Sequence, residues 1–525
     1  MKKTKEISII TLLSYLFLAL PVVLFVIGWC RWYISIPVSI IIFVSIFLAM
    51  RDAPEQEWKP EWNRDTVLRI LLILAVIIVW VITAGIGRGV FQNTDQFTRN
   101  SLYEILVNNK WPVTNVINIG EDTEARLLVY YIGFWLPSAV IGKIAGIQAG
   151  YLFQIVWSVI GVFCMYYMIC RWRKKIVIWP LFVFIFFSGL DVVGTFFFRE
   201  TENLLRGVDH LEWWSGFYQY SSITTQLFWV FNQAIPCWLA VMLLWMQKNS
   251  RNVVFIISMV MLTSTLPFIG LLPIAVYIAV TRIDKADKEE CLTVTDKATK
   301  FLKRVWKEIV TFQNFVGGGC IGILSFLYLK LNFSGSVIAN TATNAVSNPA
   351  TNETANNAVN HIVNNVIASS DGIINLPPPQ WGIQIIAYVA FIFLEVGVYF
   401  ICLYQKEKNN ALYYLELLSL LIIPFIKIGY SIDFCMRASI PALFILILMI
   451  IDFLDNNSKS TMKNVLMILL LVGSVTAIHE MHRTLITTAT NDYEIYVLEP
   501  ESVFAQPNFS GKVQNSIFCD YIMKK

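Results

Sequence analysis

The stretch ISIITLLSYLFLALPVVLFVIGW, residues 7–29, decides the fold: 23 residues without a charge, following closely on Lys2, Lys3 and Lys5. A helix rises about 1.5 Å per residue, so about 20 mostly apolar residues cross a bilayer. A signal peptide begins the same way. Here no small-residue cleavage site follows, and a second apolar run opens at residue 33. The stretch reads as the first of many transmembrane helices.

Working outward, comparable runs occupy 33–50, 67–87, 126–145, 147–170, 176–190, 223–247, 253–281, 311–330, 381–404, 411–427, 437–453 and 463–480. The run 253–281 is too long for one simple span and carries Thr263-Ser264-Thr265 before Pro267, which splits it into two short helices meeting at a break. The expected fold is an all-α polytopic membrane protein of 12–13 transmembrane helices, with a re-entrant or interfacial helix and an external active-site face.

Composition agrees. Of 525 residues 56% are hydrophobic and 14% charged, against roughly 25% charged in soluble domains. A soluble enzyme, a disordered chain and a secreted disulfide scaffold are excluded. The net charge of +4, from 40 basic and 36 acidic residues, points to no nucleic-acid partner. The nine cysteines form no CxxC pair and lie mostly in apolar runs, where cysteine behaves as a small hydrophobe.

Sidedness follows from lysine and arginine, which favour cytoplasmic loops. Basic loops fall at 2–5, 51–69, 171–175, 248–251, 282–307, 406–408 and 459–463. All seven face the cytoplasm only if 126–145 fails to cross, as a re-entrant or interfacial helix; Pro137 and Gly142 suit that. The expected localisation is a multi-pass cell-membrane protein with a cytoplasmic N-terminus and an external C-terminal tail. The regions are then N-terminal helices 1–87, an external loop with an interfacial helix 88–125, a central region 126–330 with external loop 191–222, an Asn-rich external loop 331–380, C-terminal helices 381–480 and the tail 481–525. In the Asn-rich loop, Asn340, Asn344, Asn348, Asn352, Asn356, Asn360 and Asn364 recur at every fourth position, and Pro349 favours an irregular segment.

Three segments on the external side carry polar residues beyond what an interface needs. The first, from Gly85 to Pro112, leaves a span through glycines and presents Asn93 and Asp95. Phe97, Leu102, Ile105 and Leu106 then follow at helical spacing, as in an interfacial helix. Asp95 could cap that helix or act as a base. The second holds Asp209, His210, Glu212, Trp213, Trp214 and Gln219, with Gln226, Asn232 and Gln233 beyond. Aromatic rings beside carboxylates and amides suit a carbohydrate, while an interfacial aromatic belt and interhelical hydrogen bonds are the plainer readings. The third groups Lys427, Asp433 and Arg437. Asp433 and Arg437 are four apart, so they form either a local salt bridge or an arginine fork set for phosphate. His479, His482 and Arg483 follow near the last span, where two histidines three apart could hold a metal.

An apolar first module, an external loop with an acidic residue, an interfacial helix and Trp111-Pro112 together resemble the GT-C superfamily of integral-membrane glycosyltransferases. The resemblance implies a polyprenyl-phosphate sugar donor held among membrane lipids, with transfer to a cell-envelope glycan or lipid. It also implies that Asp95 serves as catalytic base or helps hold a divalent cation beside the donor phosphate. This chain has Asn-Thr-Asp where many members show an acidic pair, and Ser215 follows Trp213-Trp214 where oligosaccharyltransferases have aspartate. A lipid-linked saccharide transporter or flippase, and a membrane polymerase or acyltransferase, are the rival readings.

Overall fold

A computed structural model describes residues 8–52, 58–119, 122–198, 210–282, 303, 305–336, 381–428, 432–456, 461–491, 493–506 and 508–525. The Asn-rich repeat and Asp209 lie outside these residues. The protein is an all-α polytopic membrane protein. Among the described residues ten helices are long and apolar enough to cross a bilayer: α1 (Ile9–Trp29), α2 (Trp32–Asp52), α3 (Arg64–Thr83), α4 (Ile147–Arg173), α5 (Trp179–Phe198), α6 (Ile223–Met246), α7 (Phe312–Asn332), α8 (Gln384–Glu407), α9 (Asp433–Asn456) and α10 (Thr461–Thr490). That is fewer than the 12–13 expected from the apolar runs, because three runs fold as shorter pieces.

The run 126–145 gives its first three residues to a strand, then turns through Ile132–Trp135 into the short helix Leu136–Ala145. The Gly133 amide donates to the Leu262 carbonyl at 3.1 Å, while Lys143 Nζ reaches back to the Val107 carbonyl at 3.0 Å. The segment thus dips toward the core and returns to the face it left. A side chain at Gly133 would come within 2.8 Å of Thr263, so only glycine admits this approach. The run 253–281 folds as Val253–Val260 and Thr265–Thr281 with the break between them. Ser250 Oγ donates to Ala279 and Arg282 Nη1 to Trp245, so both ends of this hairpin meet. The third, Ala411–Phe425, is a short apolar helix.

The exposed faces of α2, α3 and α10 are large and apolar, including Phe43, Phe47, Leu71, Val79, Ile468 and Leu471. In a chain of this hydropathy such faces meet lipid tails. Inside, α6 and α9 are nearly wholly buried. Lipid supplies no hydrophobic drive between helices, so close packing decides the fit. Gly161 of α4 illustrates it, since a Cβ there would clash with Ile235 and Phe17 of the neighbouring helices.

Ion pairs gather the basic loops on one face: Arg173 with Asp452 at 3.0 Å, Lys406 with the same Asp452, and Arg251 with Glu308 at 3.2 Å. The opposite face holds the helix Asp95–Asn108, a sheet and the C-terminal tail. Strands β1 (Thr114–Ile119) and β2 (Asp122–Leu128) form an antiparallel hairpin, and β3 (Ser510–Lys512) adds to β2. The tail is tied down elsewhere too, by Arg31 Nε to the Met523 carbonyl at 3.1 Å and the Lys524 amide to Trp29 at 2.7 Å. One face of the helix Asp95–Asn108 packs on protein. Leu102, Tyr103, Ile105 and Leu106 are buried in protein, and Phe97 meets Tyr496 of the tail.

Candidate functional site

The site is built around a distortion in α6. Val230 has non-helical angles (φ −138°, ψ 36°), and Pro236 one and a half turns on has no amide to give. A kink leaves carbonyls without helical partners, and buried carbonyls need some partner. The helix Asp95–Asn108 and its entry loop supply them. Gln96 Nε2 donates to the Phe228 carbonyl at 3.0 Å, Asn93 Nδ2 reaches the same oxygen at 3.5 Å, and Arg99 Nη1 donates to the Trp229 carbonyl.

Arg99 also donates to Asp95 at 3.0 Å. Asp95 is the first residue of its helix and its carboxylate meets Arg99; the capping reading is therefore replaced by an ion pair. The two ends differ in access, the Asp95 side chain being 42% exposed and Arg99 5%. Asp95 and Arg99 both lie within electrostatic reach of Asp433, and Asp95 also of Arg437. Asp433 and Arg437 pair at 3.2 Å, and Arg437 Nη1 donates to Tyr131 Oη at 2.9 Å. Tyr131 Oη in turn contacts Tyr130 Oη, whose phenol burial holds well above its ordinary range. Segments 342 positions apart thus share one charged group. Lys427 is not part of it: the residue is exposed and among the described residues no ion pair joins it to Asp433.

On the other side of Trp229 lies a second buried group. His210 Nδ1 is 2.5 Å from Glu480 and Nε2 is 3.4 Å from Glu212. Burial alone would lower its pKa, but the Glu480 and Glu212 carboxylates outweigh burial and hold the imidazole up at about 10. Glu480 also accepts from Trp229 Nε1 at 3.2 Å and Arg483 at 2.8 Å, and Arg483 donates to Asn93 Oδ1 at 2.5 Å. Arg483 lies over the Trp229 ring at 5.4 Å. Trp229 therefore joins the two groups, its carbonyl held by Arg99 and its indole by Glu480.

Glu212 is largely occupied within the protein, whereas Gln219 uses its Nε2 and leaves a buried Oε1 without a partner among the described residues. Glu212 accepts from the Ser222 amide at 2.8 Å, where α6 begins, and from Gln219 Nε2 at 2.7 Å. A carboxylate there also meets the positive end of the helix. Trp214 is buried and donates to Glu395 at 3.0 Å, whereas Trp213 is 46% exposed. His482 is exposed, and among the described residues no group of three or more His, Cys, Asp or Glu is gathered as a metal would need.

Several groups escaped the sequence reading. Glu480, Glu395 and Glu416 are buried carboxylic acids inside apolar helices, and a lone acid in such a run is the available signal. Arg99, four residues after Asp95, was readable from spacing. Gln226 makes hydrogen bonds, but along its own helix rather than between helices, accepting from Trp238 Nε1 at 3.0 Å and donating to the Ser221 carbonyl. Asn232 and Gln233 do not: both are fully buried, and neither side-chain amide has a hydrogen-bond partner among the described residues. A buried polar group left so costs about 1–3 kcal/mol. The Nε atoms of Arg99, Arg437 and Arg483 are likewise buried and without a partner among the described residues. No family model matches the chain, and no curated protein and no solved structure matches it.

Proposed function

We propose that the protein is a membrane glycosyltransferase of GT-C type that moves a sugar from a polyprenyl-phosphate donor to a cell-envelope glycan or lipid. The observation that carries this reading is the meeting of a half-exposed carboxylate, Asp95, with the buried Arg99 and Arg437, whose Nε atoms have no hydrogen-bond partner among the described residues. Glycosyl transfer needs a carboxylate to take the proton of an acceptor hydroxyl. It also needs fixed positive charge for the departing phosphate. Asp95 takes the first role. Arg437, aligned by Asp433 and Tyr131, takes the second, and a guanidinium fork matches phosphate oxygens better than an ammonium does. The basic loops mark the cytoplasmic face in this reading, so the site opens outward in the cell membrane.

The test is donor turnover. Purified protein is given a polyprenyl-phosphate hexose with envelope extract as acceptor, and sugar-free polyprenyl phosphate is followed by mass spectrometry. Wild type should release it and Asp95→Asn should not. A lipid-linked saccharide transporter is the second reading, favoured by the break between Phe186 and Asp191 in α5 and by the buried acids Asp191 and Glu395 within the spans. It requires movement of the intact lipid across the bilayer.

A further inference from the structure

Asn232 and Gln233 lie on α6 just past the kink, about one turn beyond the Trp229 carbonyl that Arg99 holds. Both are 0% exposed, and together they leave two amide nitrogens and two amide oxygens without partners among the described residues. Native interiors satisfy nearly all such atoms, so an unsatisfied pair side by side marks a place where something polar binds. What surrounds them limits what that is. The tip of the helical hairpin meets the backbone of this turn, where its Ser264 Oγ donates to the Gln233 backbone carbonyl at 2.8 Å and contacts Thr263. The residue before them, Phe231, packs edge-on against Phe134 and Trp135 at 5.3 and 6.4 Å. Amides, hydroxyls and aromatic rings carry no net charge. They offer paired donors and acceptors, which suit hydroxyl groups rather than phosphate or carboxylate.

We infer that Asn232 and Gln233 bind the hydroxyls of an uncharged sugar, the head group whose phosphate meets the arginines. This rests on the donor reading above and adds a sugar class to it. The neighbouring Gln226 supplies a contrast, since its amide is already used within the protein.

Full-length protein in nanodiscs is titrated with bare polyprenyl phosphate and with polyprenyl phosphate carrying glucose, mannose, galactose or arabinose, read by tryptophan fluorescence. Wild type should bind at least one sugar-bearing lipid about tenfold or more tighter than the bare phosphate, the scale of two or more neutral hydrogen bonds. Asn232→Leu/Gln233→Met should bind the bare lipid like wild type and lose that preference. Its Tm should equal or exceed that of wild type, whereas Gln226→Leu should lower Tm. Equal binding of bare and sugar-bearing lipids by wild type overturns the inference without any variant, as does a preference that survives in the double variant. Failure of wild type to bind any of these lipids overturns the phosphate reading and this inference with it.

Discussion

His210→Gln tests the buried charge group most sharply. In wild type both ring nitrogens face carboxylates, Glu480 at 2.5 Å and Glu212 at 3.4 Å, and all three side chains are almost completely buried. Glutamine keeps a donor but removes the charge between two acids. Glu480 retains Arg483 and Trp229, while Glu212 retains Gln219 and the Ser222 amide. Removing one partner of a buried ionic group costs on the order of 3–5 kcal/mol. The pH argument gives a similar size. An ordinary histidine titrates near 6.5, His210 is held at about 10, and that difference corresponds to on the order of 4–5 kcal/mol. The folded protein binds this proton more tightly than the unfolded chain. The stabilisation is therefore complete below about pH 6.5, shrinks as the unfolded chain deprotonates, and is gone once pH rises through about 10. Thermal unfolding of purified protein, followed by fluorescence from pH 6 to 10.5, reads both effects. Wild type should lose stability steadily over that window. His210→Gln should start several degrees lower at pH 6 and show a flatter profile. Parallel profiles, or a variant as stable as wild type at pH 6, would refute the account.

Other outcomes follow from the same geometry. Asp95→Asn should reach the membrane in normal amount, because asparagine still offers an oxygen to Arg99, which also keeps the Trp229 carbonyl, while sugar transfer falls by roughly two or more decades. Arg437→Lys should fold and raise the apparent KM for donor, Asp433→Asn should weaken donor use further, and Arg437→Ala should abolish donor binding in a direct lipid-binding assay. Glu124, whose burial is outweighed by Lys512 and Arg126, has a pKa below its ordinary value. Its support of the C-terminal strand is therefore present above about pH 4.5 and lost as pH falls through the lower folded value; limited proteolysis should show the tail of Glu124→Gln cut faster at pH 7. Cysteine labelling at Lys174 and Asn352 should report opposite sides of the membrane, and labelling from one side would overturn the charge-based orientation.

Much of the architecture was legible because a bilayer demands long apolar runs, and residues 7–29 or 437–453 can be little else. What failed was length. Residues 126–145 are largely apolar, with charges only at Arg126 and Lys143, yet Arg126, Leu127 and Leu128 pair with the remote strand Ser510–Lys512, and no local pattern announces a partner almost 400 residues away. The Asp433–Arg437 pair was visible from its spacing, but its approach to Asp95 and Tyr131 depends on tertiary packing. Lys427 was grouped with Arg437 in sequence but is exposed and stands outside the ion pair. The group around His210 was half visible, because Glu212 is nearby in the chain while Glu480 comes from the last span. Asn232 and Gln233 read most plainly as interhelical bonding residues, and only the packing around them showed their amides to have no partner among the described residues.

The central claim is that Asp95 and the arginines 99 and 437 break a sugar–phosphate bond rather than carry a lipid across. Proteoliposomes loaded with a labelled polyprenyl-phosphate hexose and an envelope acceptor extract decide it, by measuring sugar-free polyprenyl phosphate and translocated intact donor in one sample. The account predicts that free polyprenyl phosphate accumulates with wild type and not with Asp95→Asn, with no protein-dependent translocation. Translocation of intact donor by wild type, with no bond cleavage for any sugar tested, would contradict it.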